Sequence, residues 1–197
     1  MTTEIEAKFP NVDTDDLRAR LKALGGVLVH PERFMRRKNF DRTDRSLQKV
    51  GGWIRVRDEG EKVTLSYKQV ENRTLHGTKE VSIDVGDFNA TCVFLEATGF
   101  HEKAYQETKR EAWRLGDADV TIDTWPWVPS FVEIEGPSEA NVKDAAAQLG
   151  FEWKNAMHGS VETVYQMHYD FTEEEIDSWT SVTFIPEPEW LLAKKKS

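Results

Sequence analysis

The chain has 197 residues, 39% hydrophobic and 31% charged, a length that favours one domain, with or without an appendage, and a substantial core. It contains no run of about eighteen apolar residues, so we expect no membrane-spanning helix, and the N-terminus does not predict a secretory leader. A single cysteine, Cys92, excludes an internal disulfide framework and favours a reducing, cytoplasmic compartment. The net charge of -9 argues against a dedicated nucleic-acid binder, because phosphate backbones require a basic surface.

Apolar and charged residues alternate along several short segments, and this period of two predicts β-strands with one apolar and one charged face. The Gly-containing link Arg57 to Lys62 predicts a hairpin between two of these strands, and the set as a whole predicts a largely antiparallel sheet or barrel. The predicted strands are Glu4 to Phe9, Arg36 to Asp41, Trp53 to Arg57, Val63 to Lys68, Glu80 to Val85, Gln106 to Leu115, Val120 to Asp123 and Phe131 to Glu135.

Helices are predicted between the strands by N-cap residues, apolar spacing and terminal glycines. They follow Asp13, Asp87 and Ser138, with further helices at Val161 to Tyr169 and after the Thr172 capping box. Glu4-Ile5-Glu6 and Glu133-Ile134-Glu135 each precede a helix that ends in Leu-Gly, an internal repeat that could bring both acidic pairs to one centre. The tail from Ser178 has no clear period and is expected to be irregular.

The charged residues are sorted between the predicted strands. An isolated Glu-x-Glu or Arg-x-Arg is typical of a solvated strand face, and that interpretation stays open for each pair alone. Here, however, acids occupy some strands and bases occupy others, always opposite the apolar face. The acids are Glu4, Glu6, Glu133 and Glu135, and the bases are Arg55, Arg57, Lys68 and Arg110.

The phase of two ambiguous strands decides which of their basic residues belong to this polar face. Trp113 and Leu115 mark the packed face of one strand, which places Arg110 on the polar face and Lys109 on the surface. Phe40 marks the packed face of the other strand, and its phase favours Arg37 over Arg36.

Acids and bases that line one cavity suit a polyanion carried on a divalent metal. Carboxylate oxygens are hard ligands for Mg²⁺ or Mn²⁺, and Arg and Lys bind phosphate oxygens. The sequence has no P-loop and no Gly-x-Ser-x-Gly elbow, and its five histidines lack zinc-ligand spacing. Cys92 is expected to be a buried helix residue, and Trp125-Pro126-Trp127 is expected to be a loop packed by two indoles rather than a ligand platform.

The ordered set of motifs resembles the CYTH superfamily, the triphosphate tunnel metalloenzymes, over residues 1–169. Glu4-x-Glu6-x-Lys8 resembles its N-terminal signature, and Trp53 to Arg57 resembles its Leu-Arg-Ile-Arg strand. The further matching segments are Asn39-Phe40-Asp41, Thr64 to Lys68, Lys79-Glu80, and Asp123 with Phe131 to Glu135. Residues 170–197 have no counterpart in the minimal family pattern and would form a C-terminal extension of a short helix and an irregular tail.

The resemblance implies an α+β fold, an antiparallel eight-stranded closed barrel with a polar lumen and with helices packed outside. It also implies hydrolysis or cyclisation of triphosphates with Mg²⁺ or Mn²⁺. The implied metal ligands are Glu4, Glu6, Asp123, Glu133 and Glu135, and the implied phosphate-binding residues are Lys8, Arg37, Arg55, Arg57, Lys68 and Arg110. The residues expected to be catalytic are Glu4, Glu6, Lys8 and Arg57. Thr108 stands where members often carry a lysine, a departure for which Arg37 could compensate.

Three functions are consistent with this pattern. The first is a metal-dependent phosphohydrolase that acts on a small triphosphate, inorganic, thiamine-linked or nucleoside-linked, with a metal-activated water as the nucleophile. The second is a class IV adenylate cyclase, and the third is a non-catalytic polyphosphate- or nucleotide-binding module. All three predict a triphosphate-bearing small molecule as the partner and neither nucleic acid nor membrane, and the chain could form a homodimer.

Overall fold

The alternating segments form ten β-strands in the computed structural model, which describes residues 1–196. The strands are β1 (Thr2–Glu4), β2 (Glu6–Phe9), β3 (Val27–Asp41), β4 (Gly52–Asp58), β5 (Val63–Val70), β6 (Thr78–Val85), β7 (His101–Leu115), β8 (Ala118–Thr124), β9 (Phe131–Glu135) and β10 (Ser181–Val182). The helices are α1 (Thr14–Ala23), α2 (Phe88–Ala97), α3 (Glu139–Gln148), α4 (Glu162–His168), α5 (Glu173–Asp177) and α6 (Glu189–Leu192). In the described part of the chain, no helix combines the length and apolar character needed to cross a membrane.

Nine strands form an antiparallel, nearly closed barrel in the order β1-β6-β5-β4-β3-β7-β8-β9-β2. The predicted N-terminal strand is interrupted at Ile5, so that its first part pairs with β6 and its second part with β9. One predicted strand therefore appears as two, and this raises the predicted count of eight to nine. The α+β barrel itself is confirmed. Strand β10 lies outside this path and pairs in parallel with β7.

Helices α1, α2 and α3 cover part of the outer face of the barrel, and the strand residues beneath them are apolar. Leu17 and Leu21 of α1 and Val142 of α3 are buried against Val120 of β8 and Ile134 of β9. A second cluster packs α2 on the neighbouring part of the wall, and Cys92 is buried within it as predicted. Each fully buried side chain of this size contributes roughly 1.5–3 kcal/mol, so the alternation that faces charges inward is fixed by packing outside.

The helix boundaries follow the predicted caps. Asp13 accepts hydrogen bonds from the backbone N–H groups of Asp15 and Asp16, and Gly25 follows the helix with a φ of 78°. Thr172 and Glu175 form the predicted capping box at α5. These local signals position both ends of α1 and the start of α5 without reference to the barrel.

The C-terminal segment packs against the β8–β9 loop rather than remaining irregular. The prediction for the tail from Ser178 was wrong in that β10 and α6 are regular. Leu191 of α6 and Val182 of β10 are fully or almost fully buried in a cluster that includes Trp125 and Tyr165. Tertiary contacts stabilise both short elements, and such contacts leave no short-range period in the sequence.

Candidate functional site in the barrel lumen

The barrel encloses a cavity of about 680 Å³. Most of the predicted site residues line it, because they occupy the inward positions of their strands. The lining residues among them are Glu4, Glu6, Lys8, Arg37, Arg55, Arg57, Lys68, Arg110, Glu133 and Glu135. The structure thus brings together every predicted phosphate-binding residue and four of the five predicted metal ligands.

The two acidic pairs of the internal repeat meet in the lumen. Strand β2 pairs with β9 so that Glu6 lies opposite Glu135 and Lys8 lies opposite Glu133. Lys8 Nζ donates to Glu6 Oε1 at 2.8 Å and lies 3.2 Å from Glu133 Oε2. Burial alone would lower the pKa of Lys8, but the charges of Glu133 and Glu6 outweigh it and raise the pKa. Lys8 therefore stays cationic between two carboxylates.

Lys68 makes the corresponding bridge on the other side of the acidic wall. Its Nζ lies 2.9 Å from Glu4 Oε2 and 2.8 Å from Glu80 Oε2. Burial and a hydrogen bond to Glu80 raise the pKa of Glu4. Burial, followed by the charges of Glu133 and Glu6, raises the pKa of Glu135 to about 7. Five carboxyl groups thus face two lysines on this wall, so negative charge is in excess even though burial raises the pKa of Glu4 and of Glu135.

Four guanidinium groups form the opposite, basic side of the lumen. Burial, followed by the charges of Arg55, Arg57 and Arg110, lowers the pKa of Arg37 well below its usual value. Burial and the neighbouring Arg55 and Arg110 lower the pKa of Arg57 to about 10. The Nε atoms of Arg37, Arg55 and Arg57 are buried without a hydrogen-bond partner. Such a group of crowded cations with free donors is suited to an anion.

Arg37 is oriented by two neighbours. Its Nη2 donates to Thr108 Oγ1 at 2.7 Å, and its guanidinium lies 4.7 Å from the centroid of the Trp125 ring. Thr108 is the position at which the sequence departs from the family pattern. The guanidinium of Arg37 therefore contacts the residue that replaces the missing lysine.

Arg110 connects the basic side of the lumen with Asp123. Its Nε and Nη2 donate to the two oxygens of Asp123 at 2.6 and 2.9 Å, and Thr121 Oγ1 donates to the same carboxylate at 2.8 Å. Asp123 has no exposed surface and does not line the cavity. Its geometry suits a residue that fixes Arg110, and its predicted role as a metal ligand stays a prediction.

The predicted strand phases are confirmed. The side chain of Lys109 is 43% exposed and lies 3.7 Å from Glu32, whereas Arg110 faces the lumen. The side chain of Arg36 is likewise 43% exposed and pairs with Asp58, whereas Arg37 is buried. Alternation therefore identified the inward residue correctly in both strands.

Glu80 is a lumen residue that the predicted site omits. Arg55 Nη2 donates to its Oε1 at 3.2 Å, and Lys68 holds its other oxygen. Burial would raise the pKa of Glu80, but Glu4, Lys68 and Arg55 hold it well below the usual range. The alternation of β6 could have identified it, because Val81 and Ile83 point outward and Glu80 therefore lies on the inward face.

The donor set suits a divalent metal that arrives with its substrate. Among residues 1–196 no group of three or more His, Cys, Asp or Glu side chains is arranged to hold a metal ion. Mg²⁺, however, is usually held by one or two carboxylates together with phosphate oxygens, so a protein cage is not required. Glu4 Oε2 is buried without a hydrogen bond, although Lys68 is at ion-pair distance. Glu4, Glu6, Glu133 and Glu135 fit this role by their oxygens and their excess charge.

The part of the cavity next to the C-terminal segment has a partly aromatic lining. Here Trp125, Tyr165 and Trp179 contribute aromatic surface, and Glu162 and Asp177 contribute carboxylates. Trp125 and Trp127 pack against aromatic neighbours, as predicted for that loop, although Trp125 also lines the cavity. The lumen thus has one end lined mainly by charged side chains and another lined by aromatic side chains together with two carboxylates.

Comparisons with known proteins agree with the fold. The CYTH domain model matches residues 2–167, and the chain therefore belongs to the CYTH family. No curated protein matches the sequence.

Solved structures from several organisms share the fold at low sequence identity. The PH1012 protein from Pyrococcus horikoshii is 18% identical, with a TM-score of 0.69 over 82% of this chain and 98% of that one. A candidate adenylate cyclase from Vibrio parahaemolyticus is 14% identical, with a TM-score of 0.73 over 84% and 98%. The Hippeastrum protein HpAC1, described as having a dominant triphosphatase activity, is 15% identical, with a TM-score of 0.56 over 83% and 95%.

Proposed function

We propose that the protein is a divalent-metal-dependent phosphohydrolase that acts on a small triphosphate-bearing molecule. The observation that carries this proposal is the group of four lumen guanidiniums, three of which have a buried Nε without a partner. A triphosphate supplies several anionic oxygens along one short chain, and it would satisfy these donors while relieving the repulsion among the cations.

Each side chain has a role that follows from its position. Arg37, Arg55 and Arg57 hold the phosphate chain, and Lys8 and Lys68 contact both the carboxylates and the incoming phosphates. Arg110, fixed by Asp123, orients one end of the chain. Glu4, Glu6, Glu133 and Glu135 would hold Mg²⁺ or Mn²⁺, which when bound supplies charge neutralisation at the phosphate oxygens. Phosphoryl transfer depends mainly on such positioning and electrostatics.

The aromatic end of the cavity supports adenylate cyclisation as the second candidate. Trp125, Tyr165 and Trp179 provide surface on which a nucleoside could lie while its phosphates occupy the charged end. In that reaction the ribose 3′-hydroxyl attacks the α-phosphate and pyrophosphate leaves. The two reactions use the same cations and differ in which phosphorus faces the nucleophile.

One experiment separates these functions. The protein is incubated with inorganic triphosphate, thiamine triphosphate and ATP in the presence of Mg²⁺ or Mn²⁺. Release of inorganic phosphate supports the hydrolase, and cyclic AMP with pyrophosphate supports the cyclase. If no product forms, a rise in melting temperature with ligand indicates a binding module, and no rise at ligand concentrations far above any plausible Kd contradicts a triphosphate site altogether.

A further inference from the structure

The β4–β5 turn places a buried carboxylate at one end of the row of lumen arginines. Glu59 is 4% exposed. Arg33 Nη2 donates to its Oε2 at 2.6 Å, and Arg57 Nη2 lies 2.5 Å from its Oε1 as an ion pair. One carboxylate thus occupies the space between two guanidiniums at the point where the strands turn.

Arg33 continues the basic row beyond Arg57. It shares the inward face of β3 with Arg37, since the pairing of this part of β3 with β7 contains no register shift. Arg37 lies opposite Arg57 in the β3–β4 ladder. Arg57 lines the cavity, whereas Arg33 and Glu59 lie beyond its wall. Glu59 therefore marks the end of the lumen on this side.

The carboxylate of Glu59 is ionised, although it is buried. Burial would raise its pKa, but the charges of Arg57, Lys62 and Arg33 outweigh burial and lower it. Polar atoms around it are only partly satisfied, because the Nε atoms of Arg33 and Arg57 and the hydroxyl of Thr64 have no hydrogen-bond partner. Glu59 accordingly pairs with both Arg57 and Arg33, so that Arg33 is not free to bind a further phosphate.

We propose that Glu59 is a specificity-determining end stop that limits the length of the phosphate chain. This inference rests on the proposed function. A triphosphate fits along Arg37, Arg55 and Arg57, but a fourth phosphate would meet the Glu59 carboxylate before it reached Arg33. Like charges brought this close repel strongly in a buried site. A shift of the phosphate chain the other way would bring it toward Glu162 and Asp177, which line the aromatic end of the cavity.

The test compares linear inorganic triphosphate with linear inorganic tetraphosphate in the presence of Mg²⁺. The wild type is measured beside Glu59→Gln, Glu59→Ala, Glu59→Asp and the control Glu61→Ala, whose side chain lies in the same turn and is 77% exposed. We expect the wild type to favour triphosphate at least tenfold in kcat/KM. Glu59→Gln and Glu59→Ala should reduce this preference at least tenfold, whereas Glu59→Asp and Glu61→Ala should keep it.

The outcomes distinguish charge from packing. Retention of the preference in Glu59→Asp supports an electrostatic stop, since that variant keeps the charge and loses a methylene. An unchanged preference in Glu59→Gln and Glu59→Ala overturns the inference, as does equal use of both compounds by the wild type. Loss of folding in both neutral variants, seen by circular dichroism, also overturns it, because it would assign Glu59 to stability.

The test also separates this inference from the proposed function. If the wild type releases phosphate from triphosphate and the Glu59 variants leave the preference unchanged, only the end stop fails. If the wild type releases no phosphate, the same preference is measured from the two dissociation constants by titration calorimetry. If it binds neither compound, the end stop and the triphosphate site both fail.

Discussion

The barrel lumen and the C-terminal cluster bury side chains of opposite chemistry. The lumen buries Lys8, Arg37 and Arg55, and it leaves guanidinium donors without partners. The C-terminal cluster, defined by Trp125, Tyr165, Tyr169, Leu191 and their neighbours, buries apolar side chains, and the rings of Tyr165 and Trp179 pack edge to face with their centroids 5.2 Å apart. Burial of apolar rings stabilises the fold, whereas burial of unpaired charge costs stability.

This difference indicates what each region is for. A buried cation without its full set of partners is unfavourable unless a ligand completes it, so the lumen is organised for binding at the expense of stability. The C-terminal cluster holds α4 to α6 against the barrel and so completes the aromatic end of the cavity. Substitutions in the lumen should therefore change activity, and substitutions in the cluster should change the free energy of unfolding.

The largest expected effect is on turnover, after loss of a carboxylate from the acidic wall. Glu4→Gln or Glu6→Gln should lower kcat by orders of magnitude while the protein still folds. The physical reason is that the proposed function assigns these carboxylates to the metal, and neither belongs to the apolar core. Chelation of the metal should reproduce the loss in the wild type, and full activity in excess EDTA would exclude the metal mechanism.

The second expected effect concerns the arginines that are proposed to hold the phosphates. Arg57→Ala should lower kcat/KM at least a hundredfold, because it removes a desolvated charge contact of about 2–5 kcal/mol. Lys109→Ala is the control, since an exposed lysine contributes only about 0–1 kcal/mol, a few-fold in rate. Steady-state kinetics of both variants and of Arg110→Ala check this. Equal damage in Lys109→Ala and Arg110→Ala would contradict the assignment of roles on β7.

Most of the fold could be predicted because local signals and packing agree. Alternation fixed the faces of the strands, and N-caps such as Asp13 and Thr172 fixed the helix starts. The split of the N-terminal strand at Ile5 could not be predicted, because its cause is pairing with two different partners, β6 and β9. The first half of β3 was missed as well, since Val27, Leu28 and Val29 form a continuous apolar run without alternation.

Most of the predicted site residues lie on strands that carry repeated charges. Pairs such as Arg55 with Arg57 make the phase of a strand visible in the sequence, and the structure places both in the lumen. Glu80 was missed although the alternation of its strand marks its inward face, and Glu59 was missed because it lies in a charged turn where no alternation defines a face. Their importance depends on partners far away in the chain, such as Arg55 for Glu80 and Arg33 for Glu59. Sequence spacing carries no record of such contacts.

The third expected effect is on stability, and it tests the C-terminal cluster. Leu191→Ala should lower the free energy of unfolding by about 2–5 kcal/mol, because Leu191 is fully buried and its loss leaves a cavity. The adjacent Leu192 is 47% exposed, and Leu192→Ala should change the same quantity by less than about 0.5 kcal/mol. Denaturant unfolding monitored by tryptophan fluorescence measures both variants. Equal stability of the two variants would mean that α6 does not hold the cluster together.

The smallest expected effect is a pH dependence at Glu162, where the two regions meet. Burial, followed by the charges of Asp177 and Glu173, raises the pKa of this carboxyl to about 7, while Lys103 opposes the rise. Between pH 4.5 and about 7 the folded protein keeps a proton on Glu162 that the unfolded chain releases. Stability should therefore fall as the pH rises through this range and stay lowered above it.

Glu162→Gln isolates this contribution, because the amide does not titrate. The variant should gain about 1–3 kcal/mol relative to the wild type between pH 4.5 and pH 8, measured as the difference in unfolding free energy without ligand. The carboxyl lines the cavity and contacts Ser160, so its replacement leaves the aromatic rings of the cluster in place. If the unfolding free energies of variant and wild type differ by the same amount at pH 4.5 and at pH 8, the pKa of Glu162 is not raised. The surroundings of Glu162 at the aromatic end of the lumen would then be as polar as water, unlike the buried interior of the C-terminal cluster that encloses them.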